Sequence, residues 1–511
     1  LKSQSANIAK GGKDMKKKVL GVFLATLLAS TSLFGCGNSD EAGSSTSDSS
    51  TVTSNSSDNA VASTSEMSSE TATSASASAL SDDEEVNLHI YGPGIFATAG
   101  EDGSLDLISG IELPGYNKLL KRWNELHPNV HVQIEAIPWD NWQSAVQTAV
   151  LSGDIDIITQ GASLTDLAEP LGDYLKADPT VSDSIYNYSS RITDKYGDMT
   201  TPVISGIPVQ LNPMIAMIDT KIFEDYGVEL PSDNWTWEDL YNMASKMTGT
   251  DPVTGKQTYG VQINSMESVG NRYFTYMLLS AAYDNTCITY GKAAKDCKID
   301  YTNEKSIKAF QMLKNLLQLC SSDVKEGVNV STVLSDENDT AIRYDQGAVS
   351  HYFEAKSCEE PGRFKFITLP VVEEGEYKGK PSPFVGDTNM AICNTSKNKE
   401  WAWEFIKFMV SDKEAIQWIV DTHNIPNNKD AVTSLAKITD TDFADTVNRE
   451  MESLPPGWNT ATNSYYNSVS FGTTYNTFGN IIGELAQNNI TAEEAAKELQ
   501  DSIDEYMTSI K

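Results

Sequence analysis

The chain is poor in the residues that build reactive or metal-binding sites. It has five histidines and six cysteines, none in a C-x-x-C pair or at metal-like spacing, which excludes a small disulfide framework and leaves a metal site without local support. No H-E-x-x-H, G-x-S-x-G or P-loop occurs: Gly255-Lys256 is followed by Gln257, without the glycine spacing or the hydroxyl that cradles phosphate. Positive charge is scarce too, with 38 Lys and Arg against 71 Asp and Glu and a net charge of −33. Such a field repels nucleic acid and anionic lipid, and it tolerates neutral or cationic ligands. Past the amino-terminal region, no apolar run reaches the roughly 20 residues that span a bilayer.

What is present starts with a leader. Lys16-Lys17-Lys18 precedes the small, apolar stretch Val19 to Gly35, the charged, apolar and small-residue order of a signal peptide. A retained membrane anchor is the other reading, but Thr26, Ser30, Thr31 and Ser32 interrupt the stretch, which falls short of about 20 solidly apolar residues. Met15 is expected to open this peptide of residues 15–35. Residues 1–14 are then an upstream extension, since Lys10-Gly11-Gly12-Lys13 is what a purine-rich ribosome-binding sequence encodes.

Leu33-Phe34-Gly35-Cys36 resembles a bacterial lipobox, with Phe34 where the pattern has a small residue. The resemblance implies a diacylglyceryl group on Cys36 and anchoring to the cell membrane's outer face without a span. Two acyl chains at about 0.8 kcal/mol per buried CH₂ hold stably where one is marginal. From Cys36 to residue 85 the chain is Ser, Thr, Ala, Gly, Asn and Asp with almost nothing to bury, so a disordered linker is expected, with a root-mean-square span of about 35 to 42 Å. Five other cysteines remain. Cys287 and Cys297 flank a short loop and could bridge on the oxidising side of the membrane. Buried free thiols are the alternative, and the reading for Cys320, Cys358 and Cys393.

From Val86 to Lys511 the chain is too long for one core. Val86 to Tyr91 and Val130 to Ala136 alternate like strands, and Ile155 to Ile158 is a short buried one. Between them lie a helix with Leu119, Trp123 and Leu126 on one face and another with Trp142, Val146 and Val150, which Asp140 can cap. Strand, helix, strand, helix, strand implies a parallel α/β sheet, which binds ligands at the strands' carboxyl ends: here Gly92 to Phe96, Ile137 to Asn141 and Thr159 to Ala162. Two further strands are expected at Gly206 to Gln210 and Met214 to Ile218, separated by Leu211-Asn212-Pro213. Thr236, with Asp239 three residues on, opens a helix with Leu240, Ala244 and Met247 on one face, and Asn303 to Cys320 reads as another.

Residues 206 to 249, with Gly206, Pro208, Asp219, Phe223, Gly227, Thr236, Trp237, Glu238 and Leu240 at signature positions, strongly resemble the mid-chain of maltose-binding-type (family 1) extracellular solute-binding proteins, receptors of ABC importers. Residues 152 to 158 resemble the family's S-G-D-x-P-D strand, with Ile155 replacing its proline. Residues 380 to 411 and 491 to 507 resemble its return segment and closing helix. Two places depart: Tyr344 to Val349 is one residue short of the F-x-x-G-x-A-A-M motif, leaving that strand's register open, and residues 97 to 113 are a long insertion.

The resemblance implies an α/β fold of two lobes, with a ligand cleft between them and crossing hinge segments that let it close. One lobe would hold 86–212 and 381–425, the other 215–378 and 428–511. Leu211-Asn212-Pro213 and Phe384-Val385-Gly386-Asp387 would be the crossings. It further implies a monomer without cofactor or metal that hands a solute, expected to be a neutral oligosaccharide, to permease subunits. The ligand would meet the aromatics Phe96, Trp139, Tyr352, Phe353, Trp458 and Tyr465 and the polar groups of Asp140, Gln160, Asn212, Glu354 and Asp387. Aromatic faces desolvate a sugar's C–H face while its hydroxyls need fixed partners. Core packing is the alternative for each aromatic, and the reading for Trp142. A peptide or lipid-like cargo suits an aromatic cleft as well, a sensor or adhesin could use the same fold, and a glycosidase would need two carboxylates that spacing does not reveal.

Overall fold

The computed structural model describes residues 84–164, 166–192, 202–263, 273–326, 334–382, 385–432, 441–453 and 475–510; the stretches expected as a leader, 15–35, and nearly all of the expected linker, 36–85, lie outside the described residues. In chain order the strands are β1 (Val86–Gly92), β2 (Gly103–Leu105), β3 (Glu112–Pro114), β4 (Val130–Ala136), β5 (Ile157–Thr159), β6 (Ser189–Ile192), β7 (Pro202–Pro213), β8 (Ile215–Asp219), β9 (Gly249–Thr250), β10 (Gln257–Ile263), β11 (Ile288–Thr289), β12 (Lys298–Ile299), β13 (Thr340–Asp345), β14 (Phe364–Ile367), β15 (Val385–Ile392) and β16 (Ile425–Pro426). They form a seven-stranded sheet in the order β16-β7-β15-β5-β1-β4, with β6 beside β7, and a five-stranded sheet in the order β14-β8-β13-β10-β9. β1 runs parallel to both β4 and β5, as the strand and helix alternation predicts.

Burial follows the periodicities. In β1, Val86, Leu88 and Ile90 point inward onto the helix Tyr116–Leu126, which buries Leu119 and Trp123, and onto the helix Lys399–Ser411, which buries Phe405 and Met409. Around the second sheet Ala216, Ile218, Trp237, Phe310, Leu313 and Ile342 share a core with Leu485 and Leu499 from the last two helices. A third cluster joins Leu211 of β7 and Ile215 of β8 to Tyr352, Ile425 and Phe443. It therefore draws on both sheets where the chain crosses between them.

Several local expectations hold. Thr236 and Asp239 make a reciprocal capping box on the helix Trp237–Lys246, worth about 0.5–2 kcal/mol, and Asn303 caps Glu304–Gln318. Three do not. The helix Trp142–Val150 starts from Asn141 in left-handed conformation with no side-chain cap, so Asp140 is not its cap. Leu211-Asn212-Pro213 is no break between strands but the end of the long strand β7, paired with β15; the crossing to the second sheet comes at Met214. The strand expected around Tyr344 to Val349 is β13, Thr340–Asp345, ending earlier; Gly347, at φ 74°, turns the chain into the helix Ala348–Lys356, a conformation that glycine adopts without cost.

Cys287, Cys297, Cys320, Cys358 and Cys393 are all free thiols. Cys297 Sγ accepts from the Gly291 amide at 3.3 Å instead of bridging to Cys287, whose thiol burial pushes up to about 12. No helix of the described residues is long and apolar enough to cross a membrane.

Glu450, buried on the helix Thr441–Ser453, accepts a hydrogen bond from the Leu369 amide. Burial pushes its carboxyl up to about 8, above the roughly 4.3 of an unfolded chain. The folded state then binds the extra proton, so this group's stabilisation is complete below about pH 4.3 and is lost as pH rises toward about 8. Glu450→Gln is expected to flatten the decline of the unfolding free energy between pH 5 and 8. Urea titrations giving the same pH slope for both proteins would refute this.

Candidate functional site

The carboxyl ends of β5 and β13 meet the paired crossing strands β7 and β15, and polar side chains converge there. Gln160, just past β5 and held left-handed at φ 60°, donates through Nε2 to the Asp387 carbonyl. Its Oε1 accepts from Asn389 Nδ2 at 3.0 Å, which also donates to Asp387 Oδ1 at 3.0 Å. Ser189 Oγ donates to Asp387 Oδ2 at 3.3 Å, and Asn389 Oδ1 accepts from the Ala162 amide at 2.9 Å. On the buried side Gln210 Nε2 donates to Thr388 Oγ1 at 2.9 Å. Gln210 Oε1 and Thr159 Oγ1 are buried without a hydrogen-bond partner among the described residues.

The second sheet reaches this cluster through the turn after β13. The Gly347 amide donates to Asn212 Oδ1 at 2.9 Å, and Gly386, opposite Asn212 in the ladder, lies so close to Gln346 that an added Cβ would stand 2.0 Å from its Oε1. A side chain at 386 would displace the end of the Gln346 side chain from the junction of the sheets. Behind the turn Arg343 pairs with Asp345 at 3.3 Å, and His351 Nδ1 lies 2.9 Å from Glu354 Oε2, so these buried charges are engaged internally.

Of the residues expected to contact a ligand, Gln160, Asn212 and Asp387 come together in this cluster, half-buried. Others are committed elsewhere. Phe96 sits in the core with its ring 5.9 Å from Tyr116 and 6.0 Å from Trp418, because the short helix Ile95–Ala99 turns Ile95, Phe96 and Ala99 inward; it offers no free face. Tyr352 is buried 4.6 Å from Phe443, and Glu354 is held by His351: both belong to the helix Ala348–Lys356, which turns them inward. Phe353 is half-buried and stacks 4.7 Å from His423.

Trp139 is 53% exposed, edge-on to Trp142 at 6.2 Å. Asp140 lines a separate open groove of about 550 Å³ between His89, Tyr91 and Glu135 and the helix Trp142–Val150. That groove lies along the sheet's β4 edge, away from the crossing strands. Trp458, Tyr465 and Cys36 lie outside the described residues. Sequence reasoning missed Ser189, Gln346 and Asn389; Asn389 had a signal, two residues beyond Asp387 and hence on the same strand face.

Among the described residues the arrangement fixes hydroxyl, amide and carboxylate groups in place, the kinds of group that hold a polar solute. Over residues 109–416 the chain matches the family model described as bacterial extracellular solute-binding protein. A binding protein of Brucella abortus strain 2308 is 20% identical over 353 residues, covering 65% of this chain and 77% of its own. Among solved structures, an ABC substrate-binding protein from Listeria monocytogenes in complex with cycloalternan is similar at TM-score 0.55 and 14% identity, covering 83% of this chain and 100% of its own. The sugar-binding protein MalE from Xanthomonas citri is similar at TM-score 0.58 and 13% identity, covering 83% and 98%; both likenesses are of fold. With the family match spanning more than half of its length, the chain belongs to the bacterial extracellular solute-binding proteins.

Proposed function

We propose that this chain is the receptor of an ABC importer, tethered by lipidated Cys36, and that it binds a neutral carbohydrate where the two sheets meet and passes it to a membrane permease. The observation that carries this reading is the convergence of Gln160, Asp387, Asn389 and Asn212 at the strand ends, beside the unsatisfied buried Gln210 Oε1 and Thr159 Oγ1. Amides and one carboxylate match sugar hydroxyls, which both donate and accept, and buried polar atoms are ordinarily satisfied. The acidic surface disfavours anionic solutes. The solved structures with cycloalternan and of a sugar-binding protein support a saccharide. Binding is favoured over hydrolysis because a glycosidase places two carboxyl groups across the bond it cuts, whereas the side chains bonded to Asp387 in the described cluster, Ser189 and Asn389, are a hydroxyl and an amide.

Titrating a panel of neutral mono- and oligosaccharides while following tryptophan fluorescence is expected to give a saturable response. Asp387→Ala should weaken it about tenfold or more, since a lost hydrogen bond to a charged group costs roughly 1.5–3 kcal/mol, and Gln160→Ala by about two- to tenfold, since a neutral one costs roughly 0.5–1.5 kcal/mol. Trp139→Ala and Trp458→Ala test the aromatic faces, and unchanged affinity in both would remove those residues from the site. A response to peptides but to no sugar would overturn the carbohydrate reading. Cys36→Ser should release the protein into the medium with binding intact; retention in the membrane fraction would refute the anchor.

A further inference from the structure

The insertion after β1 folds into a hairpin that buries one leucine and a carboxylate. Strands β2 and β3 pair from Gly103 to Pro114; Leu113 of β3 is buried, whereas Leu105 and the loop residues Leu107 and Ile111 are exposed, Leu107 at 82%. Its aspartate is inside: Asp106 is 8% exposed. A hairpin that leaves most of its large apolar residues in water and buries a carboxylate is not held by apolar burial alone. Its base is fixed to the first sheet's helix Tyr116–Leu126, with the Tyr116 amide donating to Gly100 O and Asn117 Nδ2 to Asp102 Oδ1 at 3.0 Å.

Asp106 satisfies its own loop and then reaches beyond it. Oδ1 accepts from the Ile108 amide at 3.0 Å and Oδ2 from Ser109 Oγ at 2.5 Å. Oδ2 also lies 2.7 Å from His423 Nδ1, and Ser350 of the helix Ala348–Lys356 is a neighbour of the same carboxylate that helps to stabilise its charge. His423 stands just before β16, held left-handed at φ 59°, and its ring stacks on Phe353 at 4.7 Å with 28° between planes. His423 and Ser350 are, like Asp106, more than nine-tenths buried. Burial pushes the Asp106 carboxyl up, but the bonds from His423, Ser109, the Ile108 amide and Ser350 outweigh it and hold the group well below the usual carboxylate range.

Ser350 and Phe353 lie one turn apart on the helix Ala348–Lys356, which follows β13 of the second sheet, whereas Asp106 and His423 belong to segments packed on the first. The preceding Gly347 is tied to Asn212 on the crossing strand. The helix is therefore gripped at its start by the crossing strand and, about 9 Å further along, through Phe353 by the His423 ring that the hairpin's Asp106 holds. We infer that the hairpin Gly103–Pro114 is a strap: through Asp106 and His423 it fastens the second sheet's helix Ala348–Lys356 to the first sheet and narrows the range of angles the two sheets adopt. Rotation about the crossing strands must draw Ser350 from Asp106 and Phe353 off His423, exposing a buried carboxylate's bond and a stacked ring together. The inference rests on the solute-binding reading only in taking the sheets to move against each other.

The test needs no ligand. Spin labels on Lys121→Cys, in the helix Tyr116–Leu126, and Glu498→Cys, in the closing helix, occupy exposed positions on opposite sides of the crossing; Cys358→Ala removes the half-buried native thiol. Pulsed dipolar spectroscopy of this background is expected to give one narrow distance distribution. Ser350→Ala and Phe353→Ala should each broaden it, and together they should raise the fraction at a second distance at least fivefold. Ser350→Ala removes only a hydroxyl, so its result stands even where Asp106→Ala misfolds. Distributions unchanged in the double variant, with its unfolding midpoint also unchanged, would overturn the strap. Because no sugar is added, failure here is distinguishable from failure of the carbohydrate titration.

Discussion

Asp219→Ala is expected to lower the unfolding free energy by about 3–5 kcal/mol, the cost of leaving one partner of a buried ion pair uncompensated. Asp219 ends β8 and is buried beneath Arg363, which contacts it through Nε at 3.1 and 3.0 Å and through Nη2 at 2.6 Å. The carboxylate also accepts from Asn338 Nδ2 at 2.7 Å and caps the following helix through the Lys221 amide at 3.0 Å. The other guanidinium bonds go to the Asp336 and Asn338 carbonyls. Alanine thus strands a charge that has no route to water and removes a cap at the same time. Guanidinium denaturation measures the loss. The double variant Asp219→Ala/Arg363→Met should lose less than the two single losses added, because the second change removes the stranded charge. A single-variant loss below about 1 kcal/mol would mean that water reaches the pair, as at a surface ion pair.

Trp123→Ala is expected to cost a similar 3–5 kcal/mol in the other core. The indole is fully buried, donates Nε1 to the Val130 carbonyl at 3.1 Å, and lies edge-on to Phe405 at 5.0 Å and Phe408 at 5.3 Å. Alanine removes the ring's contacts and leaves the Val130 carbonyl without that donor at the start of β4. Trp123→Phe should recover much of the apolar contact but not the hydrogen bond, and so fall between the two. The check is again the unfolding free energy. Equal losses for alanine and phenylalanine would mean that the hydrogen bond, not the packing, carries the effect.

These two residues also divide what could be read early from what could not. Trp123 was visible as a core position because Leu119, Trp123 and Leu126 recur at helical spacing, a local consequence of 3.6 residues per turn. Asp219 was visible as the end of an apolar strand, but Arg363, 144 positions away, has no local mark that pairs it with Asp219. The same contrast runs through the candidate site. Gln160 was singled out because it follows an apolar strand, where parallel sheets open to ligands, and Asn212 and Asp387 because the family resemblance places chain crossings there. Phe96, Tyr352 and Glu354 were also near strand ends, yet short helices turn them into the core. Sequence spacing does not set that rotation once Gly94 and Gly347, both at positive φ, redirect the chain.

By itself, then, the sequence determined the elements and their kind: the parallel β4-β1-β5 unit, the capped helix at Thr236, the acidic surface and the family resemblance, all of which depend on residues near one another in the chain. Tertiary structure alone decided that β7 runs unbroken through Asn212 to meet β15, that Asn389 and Ser189 close on Asp387, and that the inserted hairpin turns Asp106 inward to His423 and Ser350. These are pairings between segments separated by up to 317 residues. Their energy comes from the mutual interaction of two partners in a low-dielectric interior, which offsets the cost of desolvating both, so neither segment's own composition reveals the match.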